Sequence, residues 1–109
     1  MNVSIEVKEK DNVSYVTLAG EIDAYTAPKV RDELMEAAKG DDVKLIINLS
    51  GVNYMDSTGL GVFVGLFKQL RSNNGDMKLT GMTERLQRLF DITGLADVMD
   101  INTEVEGGV

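Results

Sequence analysis

The first part of the chain alternates between apolar and polar side chains in two runs. Apolar residues stand at every second position over Val3–Val7, which is typical of a strand with one buried face. Val13–Ala19 is a second run, rich in β-branched residues, and Asp11-Asn12 between the runs suits a tight turn. The pattern predicts an antiparallel hairpin, which we expect to end where Gly20–Asp23 breaks the alternation.

Three later segments space their apolar residues as an α-helix does. Thr26 offers an N-cap to the first, where Pro28 suits the first turn and Gly40 suits the end. Thr83 offers a cap to the third, which we expect Gly94 to end. The predicted helices are Ala27–Lys39, a segment from Ser57 or Thr58 to about Arg71, and a segment from Thr83 through Phe90.

The segments between these helices predict the remaining strands. Val43–Leu49 is apolar with little alternation, as in a strand that is buried on both faces, and Ser50–Met55 is interpreted as a connecting loop. Met77–Thr80 and Val98–Ile101 are shorter candidate strands. The resulting order, ββαβαβαβ, predicts an α/β fold in which helices pack on a mixed β-sheet of four to five strands.

The composition excludes several kinds of site. The chain has no Cys and no His, so it cannot form disulfides, cysteine zinc sites, thiol nucleophiles or imidazole bases. A net charge of −7 disfavours direct binding of nucleic acid, whose phosphates need a basic surface. No run approaches the ~18 apolar residues of a membrane span, so we expect no membrane partner and a cytoplasmic location. A single domain over residues 1–109 is expected, with 104–109 as a frayed acidic tail.

The charges are distributed unevenly. Residues 1–59 carry 6 basic and 11 acidic side chains, residues 60–90 carry 5 and 2, and residues 91–109 carry none and 5. The acidic segments are either a solvated surface or a face that meets a basic protein partner and speeds encounter. The sequence leaves both interpretations open.

The segment Asp56–Gly59 places two hydroxyls beside a carboxylate where a helix begins. Ser57 can cap that helix, which is the commoner use of such a serine. It can also accept a phosphate, which adds about −1.5 to −2 charges at an end where the helix dipole tolerates them. Local composition does not decide between the two interpretations.

Glycine and methionine residues support two further expectations about packing and exposure. Gly59, Gly61 and Gly65 do not have the spacing of a dinucleotide-binding loop, and we interpret them as a close approach of the helix to the sheet. Met55 and Met82 flank predicted loops, where we expect them to be exposed in a contact surface.

Three segments carry recognisable motifs: Gly20–Asp23 with Thr26–Pro28, then Tyr54–Phe63, then Arg88–Leu95. In this order they resemble the motifs of bacterial anti-sigma factor antagonists, of the STAS-domain family, and the likeness covers essentially the whole chain. Within the family, the third motif and the C-terminal Glu-Gly-Gly-Val are most similar to the general-stress (sigma-B) class. The sporulation class is the nearest alternative.

The resemblance implies a STAS-type fold and a regulatory role with no catalysis and no cofactor. In that family the unmodified protein binds an anti-sigma factor, which is also a serine kinase, and so frees a sigma factor. The kinase phosphorylates the motif serine, here Ser57, which ends binding, and a metal-dependent serine phosphatase removes the phosphate. The free protein is expected to be a monomer. The implied partner-binding residues are Glu21, Asp23, Tyr54, Met55, Asp56, Ser57, Thr58 and Gly59.

Other functions remain open at this point. The chain also resembles STAS domains that serve as constitutive scaffolds or ligand-binding modules. In such a role Ser57 would be only a helix cap. Glu21 and Asp23 form a carboxylate pair that suits either general acid–base chemistry or a hydrated loop. For a switch, we expect this pair to lie on the same rim of the sheet as Ser57. Whether Thr58 is also modified is a separate question.

Overall fold

A computed structural model describes residues 2–102 of the chain. Its elements follow the predicted order ββαβαβαβ, with one short 3₁₀ turn before the last strand. The tail predicted at 104–109 lies outside the described residues. The elements are β1 Val3–Lys10, β2 Val13–Ile22, α1 Ala27–Ala37, β3 Lys44–Met55, α2 Ser57–Ser72, β4 Asp76–Thr80, α3 Glu84–Ile92, the 3₁₀ turn Leu95–Asp97 and β5 Asp100–Asn102.

The five strands form one mixed sheet in the order β1-β2-β3-β4-β5. The pair β1–β2 is antiparallel, as predicted, and the three other pairs are parallel. The predicted α/β fold with helices on a mixed sheet is therefore confirmed. Because β2 to β5 run in the same direction, their carboxyl ends meet at one edge of the sheet. Segments that follow these strands are brought together at that edge.

The core lies between the sheet and the helices. Alternate residues of β2 and β3, such as Val16, Leu18, Leu45 and Ile47, contribute to it. Leu45, Ile46 and Ile47 are buried in succession, but Lys44 and Asn48, which alternate with Ile46 on the second face, are only partly buried. The expectation that β3 is buried on both faces therefore holds only around Ile46. Leucine, isoleucine, methionine and phenylalanine supply the largest fully buried side chains, which are Phe63, Phe90, Leu18, Ile22, Leu34, Leu45, Ile47, Leu49, Leu66, Leu70, Met77 and Leu79.

Strands β2 and β3 are both longer than the sequence predicted. The expected end at Gly20–Asp23 and the expected loop at Ser50–Met55 are wrong, because these segments pair with each other as far as Ile22 and Met55. The register shifts twice along this stretch, which hides the alternation in the sequence. A side chain at Gly51 would put its Cβ 2.8 Å from the Cβ of Ala19, so glycine permits the pairing.

Two further expectations fail for reasons of packing. Met55 and Met82 are buried, each 8% exposed, instead of lying in an exposed contact surface. Met55 lies beneath the start of α2, where a Cβ at Gly59 would come within 2.8 Å of its Cγ. In β1, by contrast, Val7 is exposed, so only the first half of that edge strand has a partly buried face.

Candidate functional site

Asp56 caps the N-terminus of α2. Its backbone is extended, with φ −106° and ψ −172°, and its Oδ1 accepts hydrogen bonds from the N–H groups of Thr58 (3.0 Å) and Gly59 (3.1 Å). The interpretation of Ser57 as the cap is therefore wrong. The carboxylate one position earlier takes the donors that a serine cap would have taken.

Ser57 is the first helical residue, and it is exposed. Its hydroxyl forms no hydrogen bond with any residue between 2 and 102. The hydroxyl thus contributes no hydrogen bond to the described part of the fold. A negative charge at this position also interacts favourably with the helix dipole.

Gly59 holds the start of α2 against the ends of two strands. A Cβ at this position would lie 2.8 Å from the carbonyl oxygen of Ile22 and 2.8 Å from the Cγ of Met55. The N–H of Asp56 also donates to the carbonyl of Ile22 at 3.3 Å. The predicted close approach is confirmed for Gly59 but is wrong for Gly61, where a Cβ would meet nothing within 4 Å.

Three carboxylates, those of Glu21, Asp23 and Asp56, line one surface cavity at the ends of β2 and β3. Glu21 pairs with Tyr54 across the two strands, and Glu21 and Asp23 line the same cavity as Asp56, so the acidic pair lies on the same rim of the sheet as Ser57, as predicted. No carboxylate of this group forms an ion pair within the described part of the chain. We call the residues that line the resulting cavity of about 230 Å³ the acidic rim: Glu21, Asp23, Ala24, Tyr25, Tyr54 and Asp56.

Two aromatic side chains stand exposed in the acidic rim. Tyr54, in the second motif, is 47% exposed, and Tyr25 is 86% exposed. Tyr25 is not among the site residues that the sequence motifs predict. One feature of the sequence could have indicated Tyr25 as a site residue. It lies two positions after Asp23, in a segment without helical or strand periodicity. Exposed tyrosines are common anchors in protein interfaces.

Asp23 is a structural carboxylate. Its Oδ1 accepts hydrogen bonds from the N–H groups of Thr26 (3.0 Å) and Tyr25 (2.9 Å), and the bond from Thr26 is the main reason why its pKa lies below the usual range. Thr26 occupies the N-cap position of α1, as predicted, but its side chain forms no capping bond. Its Oγ1 instead donates to the carbonyl of Glu21 at 2.7 Å and accepts from the N–H of Asp23 at 2.9 Å. A buried carboxylate held ionised in a turn is poorly suited to donate protons, which weakens the acid–base interpretation.

Comparison with known proteins shows the family to which the chain belongs. A sequence model of the STAS domain matches residues 4–107. The chain belongs to the STAS-domain family. It is 51% identical to the anti-sigma-B factor antagonist of Bacillus subtilis (strain 168), with 100% of this chain and 99% of that protein aligned. It is 53% identical to the anti-sigma-B factor antagonist of Listeria monocytogenes, with 98% and 94% aligned.

A solved structure agrees with this assignment. The crystal structure of an anti-sigma factor antagonist from Mycobacterium paratuberculosis matches this STAS domain with a TM-score of 0.85 at 25% identity, over 95% of this chain and 88% of that one. Between residues 2 and 102, this STAS domain has no cluster of three or more acidic, His or Cys side chains that could hold a metal ion. None of the helices in the same range is long and apolar enough to cross a membrane.

The assignment of the cap in this STAS domain predicts a difference in stability between two neighbouring substitutions. Asp56→Ala removes the acceptor of two N–H groups and is expected to lower the free energy of unfolding by about 0.5–2 kcal/mol. Ser57→Ala is expected to change it by less than about 0.5 kcal/mol, because the hydroxyl has no partner. Urea unfolding followed by circular dichroism measures both, and a larger loss for Ser57→Ala would contradict the assignment.

Proposed function

We propose that this chain is an anti-sigma factor antagonist of the sigma-B class, switched by phosphorylation of Ser57. The unmodified chain binds an anti-sigma factor that is also an ATP-dependent serine kinase, and so frees the sigma factor. The kinase then phosphorylates Ser57 and the complex dissociates, until a metal-dependent serine phosphatase restores the hydroxyl. The chain itself acts in the cytoplasm as a monomer and catalyses no reaction. The names of its relatives support the regulatory role.

One observation carries the proposal for Ser57. Asp56 holds the N–H groups at the start of α2, so the exposed Ser57 hydroxyl is left without a structural partner among residues 2–102. A kinase can therefore reach and modify it without first breaking a capping bond. Since the helix dipole tolerates the added charge, the fold is expected to survive the modification.

The proposed contact surface is the acidic rim together with the start of α2. Tyr25 and Tyr54 are exposed and would contact the partner directly, as would Thr58. Asp23, Met55 and Gly59 are buried, and we assign them the role of shaping this surface. The acidic side chains favour a basic surface on the partner.

Electrostatic repulsion and desolvation are sufficient for the switch. A phosphate on Ser57 adds about −1.5 to −2 charges directly beside Asp56, on a surface whose carboxylates form no ion pair among residues 2–102. Burying an unpaired charge in an interface costs several kcal/mol. A loss of about 100-fold in affinity needs only about 2.7 kcal/mol. The complex can therefore dissociate without any refolding of the antagonist.

A phosphorylation assay with the cognate kinase tests this function. Wild type and Thr58→Ala are expected to be labelled to about one phosphate per chain with radioactive ATP. Ser57→Ala is expected to gain no label but still to bind the kinase. Thr58→Ala is the matched control because it removes the neighbouring exposed hydroxyl. Labelling of Ser57→Ala to the level of wild type would reject Ser57 as the site.

A further inference from the structure

A second surface cavity lies between α3 and the end of β3, outside the acidic rim. Its volume is about 260 Å³ and its lining is mostly apolar. We call it the α3 groove. The end of β3 forms one wall, with Tyr54 and Met55. The other wall is formed by Thr83 and α3, where Arg85, Arg88, Leu89 and Ile92 line the groove together with Leu86.

The α3 wall of this groove is a continuous stripe along one face of the helix. Arg85, Arg88, Leu89 and Ile92 follow the spacing i, i+3, i+4 and i+7, which places them on the same side. The buried face of α3 is formed instead by Leu86 and Phe90. Ile92 is 77% exposed although it is a large apolar side chain. The fold thus covers this helix face only in part: Leu89 packs against the core, whereas Ile92 and the two arginines are exposed.

The charges of the α3 groove contrast with those of the rest of the chain. The charged side chains that line the groove are Arg85 and Arg88, whereas the net charge of the protein is −7. Arg85 and Arg88 are exposed, and neither guanidinium forms an ion pair or a hydrogen bond with a residue in the described range 2–102. Two unpaired cations therefore border an open apolar groove.

We propose that the α3 groove binds an acidic amphipathic segment of a partner protein. Large apolar side chains of the segment fill the groove beside Ile92 and Leu89, and its carboxylates pair with Arg85 and Arg88. Arginine is well suited to this role because its planar guanidinium binds carboxylates through two hydrogen bonds.

This surface is distinct from the phosphorylation switch. The acidic rim favours a basic partner surface, whereas the α3 groove favours an acidic one, and the two share only Tyr54. A partner docked in the groove does not need the Ser57 hydroxyl. Binding in the α3 groove is therefore expected to be independent of phosphorylation at Ser57.

NMR titration of the isotope-labelled full chain with synthetic peptides tests the proposal. The probe is a helical peptide with Leu at i, i+3, i+4 and i+7 and Glu elsewhere; one control replaces every Glu by Lys, and a second replaces every Leu by Ser. The acidic amphipathic peptide is expected to shift amide signals over residues 53–55 and 83–92. Both controls are expected to bind at least about tenfold more weakly.

Variants of the chain make the test specific to the groove. The double variant Arg85→Glu/Arg88→Glu is expected to weaken peptide binding at least about tenfold, more than Lys29→Glu/Lys68→Glu, which reverses the same number of exposed charges elsewhere. Equal losses in the two variants, equal binding of acidic and basic peptides, or no shifts at the groove would each overturn the proposal. So would shifts at the groove that appear on concentrating the protein alone, because a second copy would then be the occupant.

Discussion

Replacing Ser57 by Asp is expected to weaken binding to the anti-sigma factor at least about tenfold, or about 1.4 kcal/mol. The new carboxylate would stand beside Asp56, on a surface where none of the described residues neutralises the existing charge. Docking would bury this charge without a partner, which is costly. A phosphate carries up to twice the charge of an aspartate, so the aspartate gives the smaller of the two effects.

Two matched substitutions separate charge from size in this experiment. Ser57→Asn has nearly the shape of Ser57→Asp but no charge, and Ser57→Ala removes the hydroxyl alone. Isothermal titration calorimetry against the kinase is expected to rank Ser57→Ala close to wild type, Ser57→Asn next and Ser57→Asp last. Equal losses for Ser57→Asn and Ser57→Asp would show that shape, and not charge, ends binding.

Phe63→Ala is expected to lower the free energy of unfolding by about 3–5 kcal/mol, a large part of the 5–15 kcal/mol typical of a domain. Phe63 is fully buried on α2, and its ring meets that of Phe90 edge to face, with centroids 6.4 Å apart. The pair therefore joins the helix that carries Ser57 to α3. Removing one ring leaves a cavity between these two elements.

Phe67→Ala is the matched control for this substitution. It deletes the same side chain from the same helix, but Phe67 is only partly buried and packs under the guanidinium of Arg71 at 5.3 Å. We expect a clearly smaller loss of stability, measured by urea unfolding of both variants. Losses of equal size would contradict the burial that the structure assigns to Phe63.

The sequence predicts most of the helices and strands of this fold, but it does not predict the residues at which the strands β2 and β3 end. The hairpin, three helices and their order follow from local periodicity. The sequence predicts a loop over Ser50–Met55, the C-terminal half of β3, and this segment contains residues that are common in turns, Ser50, Gly51 and Asn53. It is a strand because it pairs with the end of β2, which was itself predicted to be irregular. Pairing of two irregular segments is a tertiary effect that no local pattern contains.

The sequence predicts that α2 begins at Ser57 or Thr58, which the structure confirms, but it does not predict which residue caps this helix. The motif placed Asp56 and Ser57 at the start of a helix, and both are good caps in sequence terms. Which of them caps depends on where the chain leaves the sheet, and the bond from the N–H of Asp56 to Ile22 sets that point. Met55 is buried for the same reason, since α2 begins directly above it. The α3 groove likewise has walls that lie far apart in sequence.

The central claim is that one phosphate on Ser57 ends binding by charge while the fold remains intact. The most direct measurement compares the affinities of the unmodified chain and the chain phosphorylated quantitatively on Ser57 for the cognate kinase, with NMR spectra of both free forms. We predict an affinity at least about 100-fold lower for the phosphorylated chain, and spectral changes confined to the neighbourhood of Ser57. Equal affinities, or a spectrum that shows rearrangement of the whole domain, would contradict the claim.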